Sequence, residues 1–472
     1  MSERSKSNFP GEEVLAEWDR RHSWHPFAQM QEYLQGPPIH IASGSGCWLT
    51  DTEGNRYLDG TASIWTNVHG HNDPDLNAAL TAQLGRVAHS TMLGLSHPIG
   101  SVLGKRLAKI SPGDLNRTFY SDNGSNAVEI ALKMSLQYWQ LQGNKEKVRV
   151  IGLKNAYHGD TIGTMAVGDA GAFHRRFRPW FFDAIHFPRP LHRECAGIVH
   201  HSDDEWSLHI LRKLLERQAG KVAALIIEPS VQGAGGMLLH PPGFLRKVAG
   251  LCQEFSIHLI CDEVFVGFGR TGPLLVCAKE GVVPDFLCLA KGLTAGYLPL
   301  AATVVREPVY EAFLGPYESF RAFFHGHTFT GNPLAAAVAV ASLDKLQPMI
   351  ESGSVHEKTI EFGRLLSKHL ENHPHVGQIR HRGLCAAIDL VADRQAGAPF
   401  PVPERFGMQV CRAARVHGLL LRPLGDTLLL VPPISISVEE IRLLVERTSG
   451  ALADALEQRQ TPLPSTQNTN RN

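Results

Sequence analysis

Between residues 115 and 305 short apolar runs recur, and stretches of helical periodicity separate them. The runs are Thr118–Tyr120, Val150–Leu153, Ala224–Ile227, Leu259–Cys261 and Phe286–Leu289. Runs of this length without polar alternation suit strands buried on both faces. Strands alternating with helices imply a mostly parallel sheet covered by helices. This is an α/β prediction, and it places the body of the molecule in residues 76–335. The flanks read differently. Cys47, Trp48 and Leu49 lead into a turn over residues 51–55 and then Tyr57 and Leu58, a meander. HGLLLRPLGDTLLLVPP carries a Gly425–Asp426 turn between two apolar runs, a hairpin pattern. Residues 1–75 and 336–460 are therefore expected to meet as a smaller α+β domain, with 461–472 as a flexible polar tail.

A chain of 472 residues suits two domains. Lys and Arg total 46, as do Asp and Glu, which gives no electrostatic basis for binding nucleic acid or an anionic membrane. The eight cysteines form no CxxC pair, and Cys252, Cys261, Cys288 and Cys385 fall in apolar runs. A reducing, cytoplasmic setting is expected. The first residues lack an apolar signal core, and Glu12, Glu13, Glu17 and Asp19 argue against a transit peptide. No apolar run approaches bilayer length. The HGH triplets at 69–71 and 325–327 match no compact zinc spacing, so no metal is expected.

The chemistry gathers at strand ends. Lys291 follows the Phe286–Leu289 run, between it and Gly292. Desolvation there would lower its pKa and free an amine nucleophile. Asp262 ends the LIICD run. Carboxyl ends of parallel strands line the ligand crevice. A lysine and an acid on two such ends suit pyridoxal phosphate, whose aldehyde takes an amine and whose ring nitrogen takes an anion. The SDNGS turn, followed by helical periodicity from Asn126, brings Gly124 and Ser125 to a helix start, either a phosphate site or an ordinary cap. Tyr157 and His158 follow the Val150–Leu153 strand and could lie against a flat ring. Arg422 ends an apolar run and suits either a carboxylate ligand or a structural ion pair.

SDNGS, NAYHGDT, IIEPSVQGAGGM, CDEVFVGFGRTG, CLAKGLTAGYLP and FHGHTFTGNPLA, in this order, resemble the class III aminotransferases, pyridoxal-phosphate enzymes of fold type I. WHPFAQM, SIWTNVHGH, LKMSLQYW and LRPLGD narrow the resemblance to the branch that aminates 8-amino-7-oxononanoate to 7,8-diaminononanoate in biotin formation. Another family member acting on an ω-amine would share the cofactor residues without needing WHPF or LRPLG. The resemblance implies that Lys291 binds the cofactor and moves the proton. It implies that Asp262 pairs with the ring nitrogen, that Tyr157 lies over the ring and that His158 belongs to the same site. Gly124 and Ser125 would hold the phosphate, with His327 and Thr328 reaching it from the second subunit of a homodimer. Phe27, Trp65 and Gly326 would wall the substrate pocket, and Arg422 would hold the acceptor's carboxylate. Phe27, Ile64 and the leucines at 428–430 stand where the adenosylmethionine-using branch has aromatic or hydroxyl-bearing residues. In this the chain resembles the branch whose amino donor is lysine.

Overall fold

The computed structural model describes residues 9–195 and 198–460, so the tail expected at 461–472 lies outside it. At its centre is a seven-stranded sheet. In chain order the strands are β1 (Leu115–Ser121), β2 (Arg149–Leu153), β3 (Ala184–Phe187), β4 (Val222–Ile227), β5 (His258–Asp262), β6 (Phe286–Leu289) and β7 (Ala301–Arg306). Their spatial order is β1-β7-β6-β5-β4-β2-β3. Every residue of β4, β5 and β6 is buried, as unalternating apolar strands require. The sheet is parallel except for β7, which runs antiparallel to both β6 and β1. No crossover helix separates β6 from β7, so the chain can only return in the opposite sense.

Register decides what the sheet presents. Cys261 pairs with Ile227 and Asp262 with Cys288. The residues just beyond β4 and β6, Glu228 and Lys291, therefore emerge beside Asp262 at the end of β5. Across one face lies α1 (Gly124–Leu141), which buries Ala127, Val128, Ile130 and Ala131. Thr303 Oγ1 of β7 donates to the Ala127 carbonyl at 2.8 Å, tying helix to sheet where periodicity alone would leave the rotation free. On the other side α2 (Pro333–Glu351) opens with Asn332 as its cap and buries an alanine-rich face.

The two chain ends share a sheet. Strands Ile41–Ser45, Trp48–Asp51 and Arg56–Asp59 form an antiparallel meander, and Leu419–Leu420 adds to it parallel to the third. A second sheet holds Val376–Arg382, Cys385–Leu390, Thr427–Leu430 and Arg422–Leu424, the last two joined across Gly425 and Asp426. Arg270, only 2% exposed, joins these parts to the large sheet. Its guanidinium donates to the carbonyls of Asn67, Leu384 and Pro432. Burial without a carboxylate partner brings its pKa down to about 10. Among the described residues no helix is long and apolar enough to cross a membrane, and no group of three or more His, Cys, Asp or Glu could hold a metal ion.

Candidate active site

A cavity of about 690 Å³ opens at the carboxyl ends of β4, β5 and β6. Lys291 stands on its floor. The residue takes φ +45° at the head of a tight turn, Lys291–Thr294, which lifts the amine off the end of β6. Aromatic rings flank it: Nζ lies 5.0 Å from the Trp65 ring centre and 5.6 Å from that of Phe265. Burial pulls the lysine pKa below its ordinary value, and the Asp262 and Glu228 carboxylates only partly offset this.

Asp262 is buried at the end of β5. Its Oδ2 lies 2.7 Å from His158 Nδ1, and its Oδ1 accepts the Val264 N–H at 3.0 Å. The His158 ring is fully enclosed, and its Nε2 has no hydrogen-bond partner among the described residues. Glu228 sits alongside, accepting the N–H groups of Tyr157 (3.1 Å) and Gly233 (2.8 Å). Burial, reinforced by Asp262 and opposed by His158, raises its pKa to about 7. The Tyr157 hydroxyl donates to Asp160 Oδ2 at 2.7 Å, and burial together with that bond pushes the phenol pKa upward.

One wall is the start of α1. Asn123 caps it through the Asn126 N–H at 3.0 Å, leaving the Gly124 and Ser125 amides at the open end. A β-carbon on Gly124 would come within 2.6 Å of Val264. Ser125 Oγ accepts the Asp160 N–H at 3.1 Å, which packs the loop bearing Tyr157 and His158 against the helix start. Gly159 makes this approach possible: with φ +130°, a β-carbon there would lie 1.9 Å from Ser125 Oγ.

The cavity thus brings together Phe27, Trp65, Gly124, Ser125, Tyr157, His158, Asp262, Lys291 and Arg422. Phe27 is exposed at the mouth, edge-on to Phe173 at 5.8 Å. Arg422 donates to the Phe27 carbonyl at 3.2 Å, a backbone acceptor rather than the carboxylate of a structural ion pair. Of the leucines at 428–430 only Leu429 lines the cavity, because alternate strand residues face opposite sides. Gly326, His327 and Thr328 do not line it within one chain. Gly326 lies against Leu93, and His327 Nε2 is 3.8 Å from Asp122 Oδ1 at the cavity's edge. Glu228 and Phe173 also line the cavity, and no motif in the sequence assigns them a role there. The Glu-Pro after the buried β4 run was a usable signal for the first; nothing local marks the second.

Trp65 reaches the cavity by an unusual backbone. Ala62, Ser63, Ile64 and Trp65 all have left-handed φ, from +46° to +70°. Such a conformation costs non-glycine residues about 1–2 kcal/mol each.

The donor set fits pyridoxal phosphate. An open helix N-terminus cradled by glycine suits a phosphate, a buried carboxylate suits a ring nitrogen, and a lysine amine whose pKa burial lowers suits an aldehyde. His158 meets the same carboxylate through Nδ1.

Comparison with known proteins agrees. Residues 30–452 match the family described as aminotransferase class-III, and the chain belongs to that family of pyridoxal-phosphate enzymes. The adenosylmethionine-8-amino-7-oxononanoate aminotransferase of Geobacter sulfurreducens is 49% identical over 92% of this chain and 96% of its own length. The protein of that name from Methanocaldococcus jannaschii has a solved structure that superposes with a TM-score of 0.89, at 37% identity, over 94% of this chain and 99% of its own. An (S)-enantioselective omega-transaminase from Thermomicrobium roseum follows at 0.87 and 34% identity, covering 95% and 100%.

Proposed function

We propose that this aminotransferase converts 8-amino-7-oxononanoate to 7,8-diaminononanoate, a step of biotin formation. The observation that carries the reading is a cavity with Lys291, Asp262 and an open helix start at one end and an apolar mouth with a single arginine at the other. The acceptor has the matching layout: a ketone, a methylene chain and a terminal carboxylate. When bound, pyridoxal phosphate supplies an aldehyde that takes up and releases the amino group, and a ring that withdraws electrons. The protein's share follows from its residues. Gly124 and Ser125 bind the phosphate through backbone N–H groups and the Ser125 hydroxyl. Asp262, oriented by His158, holds a proton at the ring nitrogen. Lys291 Nζ, its pKa lowered by burial, would hold the cofactor's aldehyde group and would move the proton at the substrate carbon. Tyr157 and Trp65 enclose the ring and exclude water, while Arg422 takes the carboxylate in its planar fork.

For the donor, L-lysine is read as better than adenosylmethionine, although the relatives' names carry the latter. Phe27, Ile64 and Leu429 line the cavity without a hydroxyl. An apolar wall discriminates only by about 10- to 200-fold, so some use of the other donor is expected. The molecule is read as a cytoplasmic homodimer. The seven described cysteines are all free and buried. Leu93, Leu95, Phe324 and Phe329 are 59–72% exposed, on segments joined by the His89–Phe329 contact at 4.9 Å. The same apolar face on a second copy would cover them and bring Gly326, His327 and Thr328 to the neighbouring cavity.

The test is mass-spectrometric detection of 7,8-diaminononanoate from 8-amino-7-oxononanoate and each donor, with bleaching of the visible cofactor absorbance followed for each donor alone. Product with lysine as the faster donor is expected. Bleaching by adenosylmethionine alone overturns the donor, and bleaching only by a simple ω-amine overturns the acceptor.

A further inference from the structure

We infer that Asp59, which lies outside the cavity, is the positioning residue for Trp65 and acts through Ser63. This deepens the reading of the Lys291 cavity as the place of amino transfer and rests on it. Four successive left-handed residues do not hold themselves in place; their surroundings must do so. Asp59 is the fixed point. It ends a strand whose neighbour is Leu420, and it is 1% exposed. Its Oδ1 accepts the Thr61 N–H and hydroxyl, both at 3.2 Å. Its Oδ2 accepts the Ser63 hydroxyl at 2.8 Å and lies 3.0 Å from His71 Nε2. Burial alone would raise the Asp59 pKa, but the bonds from His71 and Ser63 outweigh it and keep the group ionised.

The carboxylate's reach extends along the turn. The Trp65 N–H donates to the Thr61 carbonyl at 2.8 Å, and the Thr66 hydroxyl to the Ser63 carbonyl at 3.1 Å. Asn67 Nδ2 lies 3.3 Å from His71 Nδ1, and the Asn67 carbonyl is held by the buried Arg270. At the far end the indole meets the Phe265 ring at 4.7 Å, beside Lys291. Ser63 is the link that runs from the rigid carboxylate directly into the left-handed run. Removing its hydroxyl leaves the Asp59–His71 pair in place and frees the wall residue. A wall fixed before substrate arrives reduces the ordering cost of binding.

The experiment uses holoenzyme labelled with 5-fluorotryptophan, in which seven tryptophans give seven fluorine signals. Trp65→Phe identifies the Trp65 signal. With Ser63→Ala that signal is expected to shift or broaden while the other six hold, and the acceptor KM to rise about tenfold, as befits one positioning hydrogen bond, with kcat changed less. Asp59→Asn is expected to act in the same direction and more strongly. In the Trp65→Phe background, Ser63→Ala should add no further rise in KM. A Ser63→Ala protein that melts earlier with its Trp65 signal and KM unchanged overturns the inference, as does an undiminished KM effect without the indole. If the parent transfers no amino group at all, the reading of the cavity has failed, and the fluorine signal alone still decides whether Asp59 holds Trp65.

Discussion

At Lys291 the amine loses more hydration than two neighbouring carboxylates return, and it is therefore held below its ordinary pKa. Asp262 must stay charged to serve the ring nitrogen, so Asp262→Asn is expected to keep part of the cofactor affinity and to lower kcat by about 10²- to 10³-fold in steady-state assays. Glu228 gives a prediction about stability. Its folded pKa of about 7 lies above the ordinary value of 4.5, so between these pH values the folded protein binds more protons than the unfolded chain. Its contribution is present at low pH and is lost as pH rises through about 7. In the cofactor-free protein, denaturant titrations should show stability falling over that window by up to roughly 3 kcal/mol. Glu228→Gln should flatten the fall, whereas an unchanged slope would exclude this residue as its source.

Among the elements, the loop after β2 and the start of α1 are fitted through Gly159, whose φ of +130° and 1.9 Å clearance suit glycine alone. Gly159→Ala should displace the helix start and raise the pyridoxal-phosphate dissociation constant by about 10- to 100-fold, measured by titrating the cofactor-free protein. Much of this level was legible in the sequence. The Phe286–Leu289 run is β6 with the same bounds, and Lys291 and Asp262 lie at strand ends because consecutive apolar residues stop there. What escaped depends on contacts distant in sequence. The antiparallel sense of β7 follows from its neighbours in the sheet, not from its own pattern. The left-handed course of Ala62–Trp65 has no glycine to announce it; Asp59 and His71 hold it in three dimensions. Glu228 lacked any periodic signal and gains its raised pKa only where β4 and β5 meet.

On the scale of the whole molecule, the proposed homodimer would cover the exposed Phe324, Phe329, Leu93 and Leu95. Sedimentation should give twice the chain mass, and Phe324→Asp should shift it toward one chain and weaken cofactor binding together; a monomeric parent with full activity would contradict the shared site. In the proposed enzyme the Lys291 amine anchors the cofactor at the meeting of three strand ends. This anchoring is tested most directly by borohydride reduction of the yellow, cofactor-loaded protein followed by peptide analysis. The label should appear on the single peptide containing Lys291 and be absent from Lys291→Ala. A label on any other lysine, or a protein that takes up no pyridoxal phosphate, would contradict it.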